Sequence, residues 1–136
     1  MTSGNAQNLN QPQLVAWLDR FAAQVPAFDR EIQIRRDLVG LMVSSGNLLI
    51  GEGLRLPPSR VAPLLHHEVG THVLTYVNGS AQPLRLLSLG LAGYDELQEG
   101  LAVLAEYLAG GLDRFRMRLL AGRVVAAHCV EQGADF

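Results

Sequence analysis

Cysteine is almost absent from this sequence, which limits the kinds of site the chain can build. Cys129 is the single cysteine among 136 residues. One thiol can form neither an internal disulfide nor a cysteine-based metal cluster. A chain without disulfides fits a reducing environment, and we therefore expect a cytoplasmic location.

Positive charge and long apolar runs are also limited. The net charge is -2, so no electrostatic footprint for nucleic acid is expected. No uncharged apolar run reaches the roughly 20 residues that a membrane span needs. Residues 1–11 are polar and lack the apolar core of a secretory signal. We expect neither a nucleic-acid partner nor a membrane partner.

The remaining composition is that of a compact globular protein. Hydrophobic residues make up 49% of the chain and charged residues 18%. A length of 136 residues is enough to bury one core without disulfides or other staples. We predict a single domain over residues 11–136, preceded by a flexible leader over residues 1–10.

The chemistry is concentrated in one stretch, His66-His67-Glu68-Val69-Gly70-Thr71-His72. It holds three of the four histidines in the chain, together with a glutamate. Zinc hydrolases place two histidines and an adjacent glutamate within two helical turns. The imidazoles bind the metal, and the carboxylate accepts a proton from water. The alternative is that these are ordinary helix histidines satisfied by hydrogen bonds.

The spacing of this motif departs from the common H-E-x-x-H pattern by one extra residue. On a regular α-helix, His67 and His72 would lie about 140° apart around the axis, too far apart to share one ion. A single wide π-type turn would bring both onto one face, and Gly70 is the residue that most easily permits such widening. The other pair on a regular helix is Glu68 and His72, at i,i+4, which would make Glu68 a ligand. Spacing alone leaves both pairs open.

The segment before the motif predicts one helix and a small sheet. Pro12 suits a first helical turn, and apolar residues follow at helical spacing as far as Val25, before Pro26. From Glu31 the pattern alternates, which indicates a strand. Apolar runs over 38–43 and 48–50 flank Ser44-Ser45-Gly46-Asn47, a hairpin signal. An edge strand over a metal site is also a natural place for a peptide to add as a further strand.

A largely apolar helix is predicted to carry the histidine motif. Ser59 is a suitable N-cap, residues 60–77 follow helical periodicity, and Asn78-Gly79 would end the helix. Polar residues in the middle of so apolar a helix are costly to bury unless they are paired or ligated. This burial favours the metal interpretation.

Two more helices are predicted after the motif. The first runs from Tyr94 to Ala109 and carries Glu99, which is either a third metal ligand or an ordinary salt-bridging residue. Asp113 caps the second, which continues to about Val130. The patterns together predict an α+β fold, with a small antiparallel sheet packed on the histidine helix and on two further C-terminal helices.

Several motifs in order resemble one family. The matching segments are His67-Glu68-Val69-Gly70-Thr71-His72, Thr75-Tyr76-Val77-Asn78-Gly79, Gln82-Pro83-Leu84, Gly90-Leu91-Ala92-Gly93-Tyr94 and Gln98-Glu99-Gly100-Leu101-Ala102. They are similar to the bacterial flavohemoglobin expression-modulating QEGLA motif proteins, relatives of the microtubule-associated tyrosine carboxypeptidases. The resemblance covers roughly residues 30–136. Because family members are generally longer on both sides, it implies that this chain is a catalytic-core fragment.

The resemblance implies a zincin-like peptidase site. Zn²⁺ would be held by His67, His72 and Glu99, with Glu68 as the general base, so the i,i+5 pair is favoured over Glu68 and His72. The implied activity is that of a zinc-dependent metallopeptidase, carboxypeptidase-like, acting on the C-terminus of a peptide or protein.

Further polar residues near the motif have roles that the sequence leaves open. Tyr76 and Tyr94 are candidate donors to the oxyanion, with packing as the alternative, and we select Tyr76 as the catalytic one. Asp95 and Glu106 either orient the ligand imidazoles or serve in capping and surface pairing. His66 points elsewhere on the helix and is expected to be structural or to support the ligands from behind.

Two other functional classes compete with the peptidase. One is a non-catalytic regulatory module with a structural or vestigial metal site, which would not need the intact Glu68. The other is a zinc hydrolase of non-peptide amides or esters.

Overall fold

The computed structural model describes residues 8–23 and 31–135 and confirms the α+β class. The helices and strands appear in the order α1 (Gln11–Ala22), β1 (Ile32–Arg35), β2 (Leu41–Ser44), β3 (Asn47–Gly51), α2 (Pro58–His67), a π segment (Glu68–Val73), α3 (Leu74–Ser80), a short 3₁₀ turn (Arg85–Ser88), α4 (Tyr94–Leu108) and α5 (Arg114–Glu131). No helix among these residues is long and apolar enough to cross a membrane.

The first helix begins with a reciprocal cap. The Asn10 side chain accepts from the backbone N–H of Gln13, and the Gln13 side chain accepts from the backbone N–H of Asn10. Leu14 and Leu18 of α1 are buried, as the apolar stripe predicts. The predicted continuation to Val25 lies outside the described residues, as does most of the predicted leader.

The sheet has three strands in the order β1-β3-β2. The predicted hairpin is confirmed, because β2 and β3 are antiparallel and meet at Ser45 and Gly46, which both have positive φ. The prediction of a wholly antiparallel sheet is wrong, since β1 pairs with β3 in parallel. The second strand of the hairpin, β3, lies between β1 and β2. The alternation of apolar and polar side chains within a strand does not predict this order.

The core joins the sheet to the helix that carries the histidines. Its buried members come from α1, β3, α2 and the π segment: Leu14, Leu18, Leu48, Ile50, Val61, Leu65, Val69 and Val73. The apolar face of the histidine helix is therefore fixed against the central strand. The polar residues between these apolar positions are held on the other side of the same backbone.

The histidine helix is continuous from α2 through the π segment to α3, but its ends differ from the prediction. Ser59 is not the N-cap, because the helix already begins at Pro58 and Pro57 is the capping residue. A proline at the first helical position has a preset φ and needs no N–H partner. At the other end the helix continues to Ser80, and Gly79 lies against the carbonyl group of Leu87.

The last two helices agree with the prediction to within about a residue. Helix α4 ends at Leu108, before Gly110, which has positive φ. The Asp113 side chain caps α5 by accepting from the backbone N–H of Arg116 at 2.7 Å. Glu99 lies on α4, so this helix brings a carboxylate toward the histidine helix.

Candidate metal centre and active site

The wide helical turn suggested by the motif spacing is present. Residues Glu68–Val73 form a π-helical segment, and the imidazole rings of His67 and His72 have centroids 5.1 Å apart. The side chain of Thr71 donates to the carbonyl oxygen of His66 at 3.1 Å, which supports the widened turn. A Cβ added at Gly70 would meet its nearest neighbour at an ordinary distance, 3.6 Å, so close packing does not require glycine there.

Helix α4 places the Glu99 carboxylate beside both histidines. Oε1 of Glu99 lies 3.5 Å from Nε2 of His72, and Oε2 lies 3.8 Å from Nε2 of His67. One ligand atom from each of these three residues lies within 4.8 Å of the others. A tetrahedral zinc ion with bonds of about 2.0–2.2 Å separates its ligand atoms by roughly 3.3–3.6 Å. The donor types therefore suit one zinc ion, and the two distances to Glu99, 3.5 and 3.8 Å, lie close to this separation.

Glu68 is adjacent to these residues but does not belong to the ligand cluster. Its side chain is buried, with 8% of the residue exposed, and it lines the same cavity as the two histidines. Burial, reinforced by the negative charges of Glu99 and Glu106 and opposed by a smaller effect of Arg116, raises the pKa of Glu68 to about 8. The carboxyl group is thus prepared to gain and lose a proton near neutral pH.

His67 is a buried imidazole between two carboxylates. Its Nε2 faces Glu99, while its Nδ1 lies 2.8 Å from Oε1 of Glu106 without making a well-aligned hydrogen bond. Burial lowers the pKa of His67, an effect that Glu106 opposes and the neighbouring His72 reinforces. A neutral imidazole is the form that binds a metal ion.

A cavity of about 440 Å³ opens in front of these side chains. Its walls come from β2, the β2–β3 turn, the histidine helix, the 3₁₀ turn and α4, and its lining includes Met42, Val43, Ser45, Thr75, Tyr76, Leu87, Ser88, Leu89, Tyr94, Asp95 and Gln98. A mixed apolar and polar cleft of this size is typical of a small-ligand or side-chain pocket.

Both candidate tyrosines border this cavity. The ring of Tyr76 lies against Gly46 of the hairpin turn. The Tyr94 hydroxyl accepts a hydrogen bond from Nε2 of Gln98 at 2.8 Å, so the hydroxyl proton can point elsewhere. Asp95 lines the cavity outside the ligand cluster, and His66 is exposed with its ring edge-to-face on Phe21, 5.0 Å between centroids.

Comparison with known protein families matches residues 1–136 to the family described as microtubule-associated tyrosine carboxypeptidase. The chain belongs to this family. The comparison confirms the family relationship that the motifs suggest. The relatives that the family is named for are peptidases. No curated protein and no solved structure gave a significant match.

Some residues of this candidate site carry no local signal in the sequence. Arg60 is one, since its partner Glu106 is 46 positions away. Met42 and Val43 also carry no such signal, because their place in the cavity wall depends on how the sheet packs on the π segment. The i,i+7 spacing of Glu99 and Glu106 is the one available hint, since it places both on the same side of α4.

Proposed function

We propose that this chain is a zinc-dependent peptidase of the carboxypeptidase type, acting on the C-terminus of a peptide or protein. The observation that supports this proposal most directly is the cluster of His67, His72 and Glu99, with Glu68 beside it in the same cavity. Family membership supports the peptide substrate class.

The metal in this proposal is held by His67, His72 and Glu99. Two neutral nitrogen donors and one carboxylate are a common catalytic zinc set, which leaves a position for water or substrate. Zinc held by these residues would supply Lewis-acid chemistry, which activates water at neutral pH and polarises a carbonyl oxygen.

Glu68 is the proposed general base. Its carboxylate accepts a proton from the attacking water and then delivers that proton to the nitrogen of the leaving amine as the peptide bond breaks. The burial of Glu68 supports this role, because a carboxyl group with a pKa near neutrality both accepts and returns a proton readily.

Tyr76 is the proposed donor to the oxyanion that forms on the peptide carbonyl, with Tyr94 of α4 as the alternative. Both side chains line the cavity, and a phenol hydroxyl is a suitable donor for developing negative charge. Kinetics of Tyr76→Phe and Tyr94→Phe distinguish them. The donor variant loses about 10²–10³-fold in kcat, and the other changes little.

The outer edge of β2, which pairs with no other strand among the described residues, is the proposed platform for the peptide backbone. Ser44 and Asn47 pair with each other on either side of the two-residue turn. Because hydrogen-bonded and non-hydrogen-bonded pairs alternate along an antiparallel ladder, the N–H and C=O of Val43 point away from β3. Val43 also lines the cavity, so a peptide paired with it would extend past the proposed metal site. N-methylation of successive peptide positions should weaken binding only where the Val43 pairing is lost.

The decisive experiment is proteolysis of a peptide library with the zinc-loaded chain, read by mass spectrometry, using peptides with free and amidated C-termini. Wild type should shorten the free peptides from the C-terminus. Glu68→Gln should lower kcat by about 10²–10⁴-fold without changing zinc content. Glu96→Gln, an exposed glutamate on α4, is the matched control and should remain active.

Each other outcome identifies a rival function. Turnover of ester or small amide substrates without peptide cleavage would indicate the non-peptide hydrolase. A bound metal without turnover of any of these substrates, combined with binding that survives Glu68→Gln, would indicate the regulatory module.

A further inference from the structure

Glu106 is the most deeply buried charged side chain described in this structure, and the proposed mechanism does not use it. It is 0% exposed and lies on α4 two turns after Glu99. At a spacing of seven residues, the two carboxylates differ by only about 20° around the helix. One helix face therefore presents Glu99 to the proposed metal site and Glu106 to the region behind it.

Two arginines from different helices hold this carboxylate. Arg116 of α5 donates from Nε to Oε2 at 2.9 Å and from Nη2 to Oε1 at 2.6 Å. Arg60 of α2 donates from Nη2 to Oε2 at 2.9 Å and from Nη1 to the carbonyl oxygen of Gly111 at 2.6 Å. Burial raises the pKa of Glu106, but hydrogen bonds from Arg116 and Arg60 more than offset that effect and keep the group ionised.

The arrangement leaves room for one more donor to Glu106. An ionised carboxylate has about four lone-pair positions, and the arginines fill three of them. Nδ1 of His67 lies 2.8 Å from Oε1, is buried, and makes no other aligned hydrogen bond among the described residues. The Nδ1–H proton of a neutral His67 can therefore satisfy both groups by a small adjustment of the ring.

We propose that Glu106, fixed by Arg60 and Arg116, is a positioning residue that holds the His67 proton on Nδ1 and directs the Nε2 lone pair toward Glu99 and His72. This inference rests on the proposed function, because it gives His67 the tautomer that a metal ligand at Nε2 requires. The hydrogen bond made by one imidazole nitrogen decides which nitrogen is free to bind.

A purely structural role of Glu106 would predict a different effect of substitution on His67. The ion pairs alone would connect α2, α4 and α5, and any substitution that kept the helices together would leave the His67 ring unaffected. The contact between Nδ1 of His67 and Oε1 of Glu106 is not needed to hold the three helices together.

Two substitutions separate these roles. Glu106→Asp keeps the charge that pairs with both arginines but withdraws the carboxylate from His67 by one methylene. Glu106→Gln keeps the length but has one oxygen for the arginines, so its amide N–H₂ turns toward Nδ1 and favours the tautomer protonated on Nε2. Glu96→Gln is the matched control on the same helix.

The first readout is zinc affinity, measured by competition with a chromophoric chelator on chains checked for native circular dichroism. Both Glu106 variants should bind zinc about 10–100-fold more weakly than wild type, and the control should not change. Wild-type affinity retained in folded Glu106→Asp and Glu106→Gln overturns the inference while leaving the zinc site itself intact.

The second readout is independent of zinc. Long-range ¹H–¹⁵N correlation spectra of the metal-free chain report which nitrogen of neutral His67 carries the proton. Wild type should be protonated on Nδ1, and both variants should shift toward Nε2. Wild-type His67 protonated on Nε2 overturns the inference, even if the chain binds no zinc and the proposed function fails on its own test.

Discussion

Glu68 should destabilise the metal-free protein at neutral and alkaline pH. Its pKa rises from 4.5 to about 8 on folding, mainly because the carboxyl group is buried. Between these two values the folded chain binds more protons at Glu68 than the unfolded chain does. The Glu68 contribution to the free energy of unfolding therefore falls as the pH rises from about 4.5 to 8.

The size of the effect follows from the same two values. Each unit of pKa difference corresponds to about 1.4 kcal/mol, so the rise to about 8 sets an upper limit of about 5 kcal/mol. Water penetration and local relaxation reduce such penalties in real proteins. We expect metal-free Glu68→Gln to be about 2–4 kcal/mol more stable than wild type at pH 8, with the gap closing toward pH 5.

The assay is urea unfolding followed by circular dichroism, in the presence of a chelator, at several values between pH 5 and pH 8. The lowered pKa of His67 gives a contribution of opposite sign below pH 6.5, but it is common to both proteins and largely cancels in the difference. Glu96→Gln controls for the loss of a negative charge on the surface. A Glu68→Gln variant no more stable than wild type at pH 8, or a gap that does not change with pH, would refute the reasoning.

Four further substitutions test the packing and backbone conformation of the fold, and each is checked by urea unfolding. Leu65→Ala leaves a cavity in the fully buried core and should cost about 2–5 kcal/mol; a loss below 1 kcal/mol would contradict the described core. Gly79→Ala drives a methyl group against the carbonyl of Leu87 and should cost about 1–3 kcal/mol, whereas Gly122→Ala, in open space within α5, should stabilise by about 0.5–1 kcal/mol. Gly46→Ala should cost about 1–3 kcal/mol because the hairpin turn requires a φ of 77° there; an unchanged midpoint would show that the turn is not as described.

Local spacing predicted much of the geometry of the candidate metal site. The i,i+5 separation of His67 and His72 required a widened turn if the two were to share an ion, and the π segment Glu68–Val73 provides it. The hairpin at Ser45 and Gly46 could also be predicted from the sequence, because the tendency to adopt positive φ in a short turn depends on the individual residues. Both features depend on residues only a few positions apart.

Features that depend on long-range packing were not predictable in the same way. The order β1-β3-β2 depends on which strand takes the central position, and apolar alternation is the same for parallel and antiparallel neighbours. The N-cap was assigned to Ser59 on side-chain preference, but consecutive prolines start the helix two residues earlier. The partnership of Arg60 with Glu106 spans 46 positions and is formed only when α2 packs on α4.

The proposed function depends above all on one zinc ion held by His67, His72 and Glu99. Its most direct test is the zinc content of the purified chain after loading and gel filtration, measured by mass spectrometry for wild type, His72→Ala, Glu99→Ala and Glu96→Ala. We predict about one zinc per chain in wild type and in Glu96→Ala, and little in the other two. A folded wild-type chain that takes up no zinc, or a Glu99→Ala variant that binds it as tightly as wild type, would contradict the account.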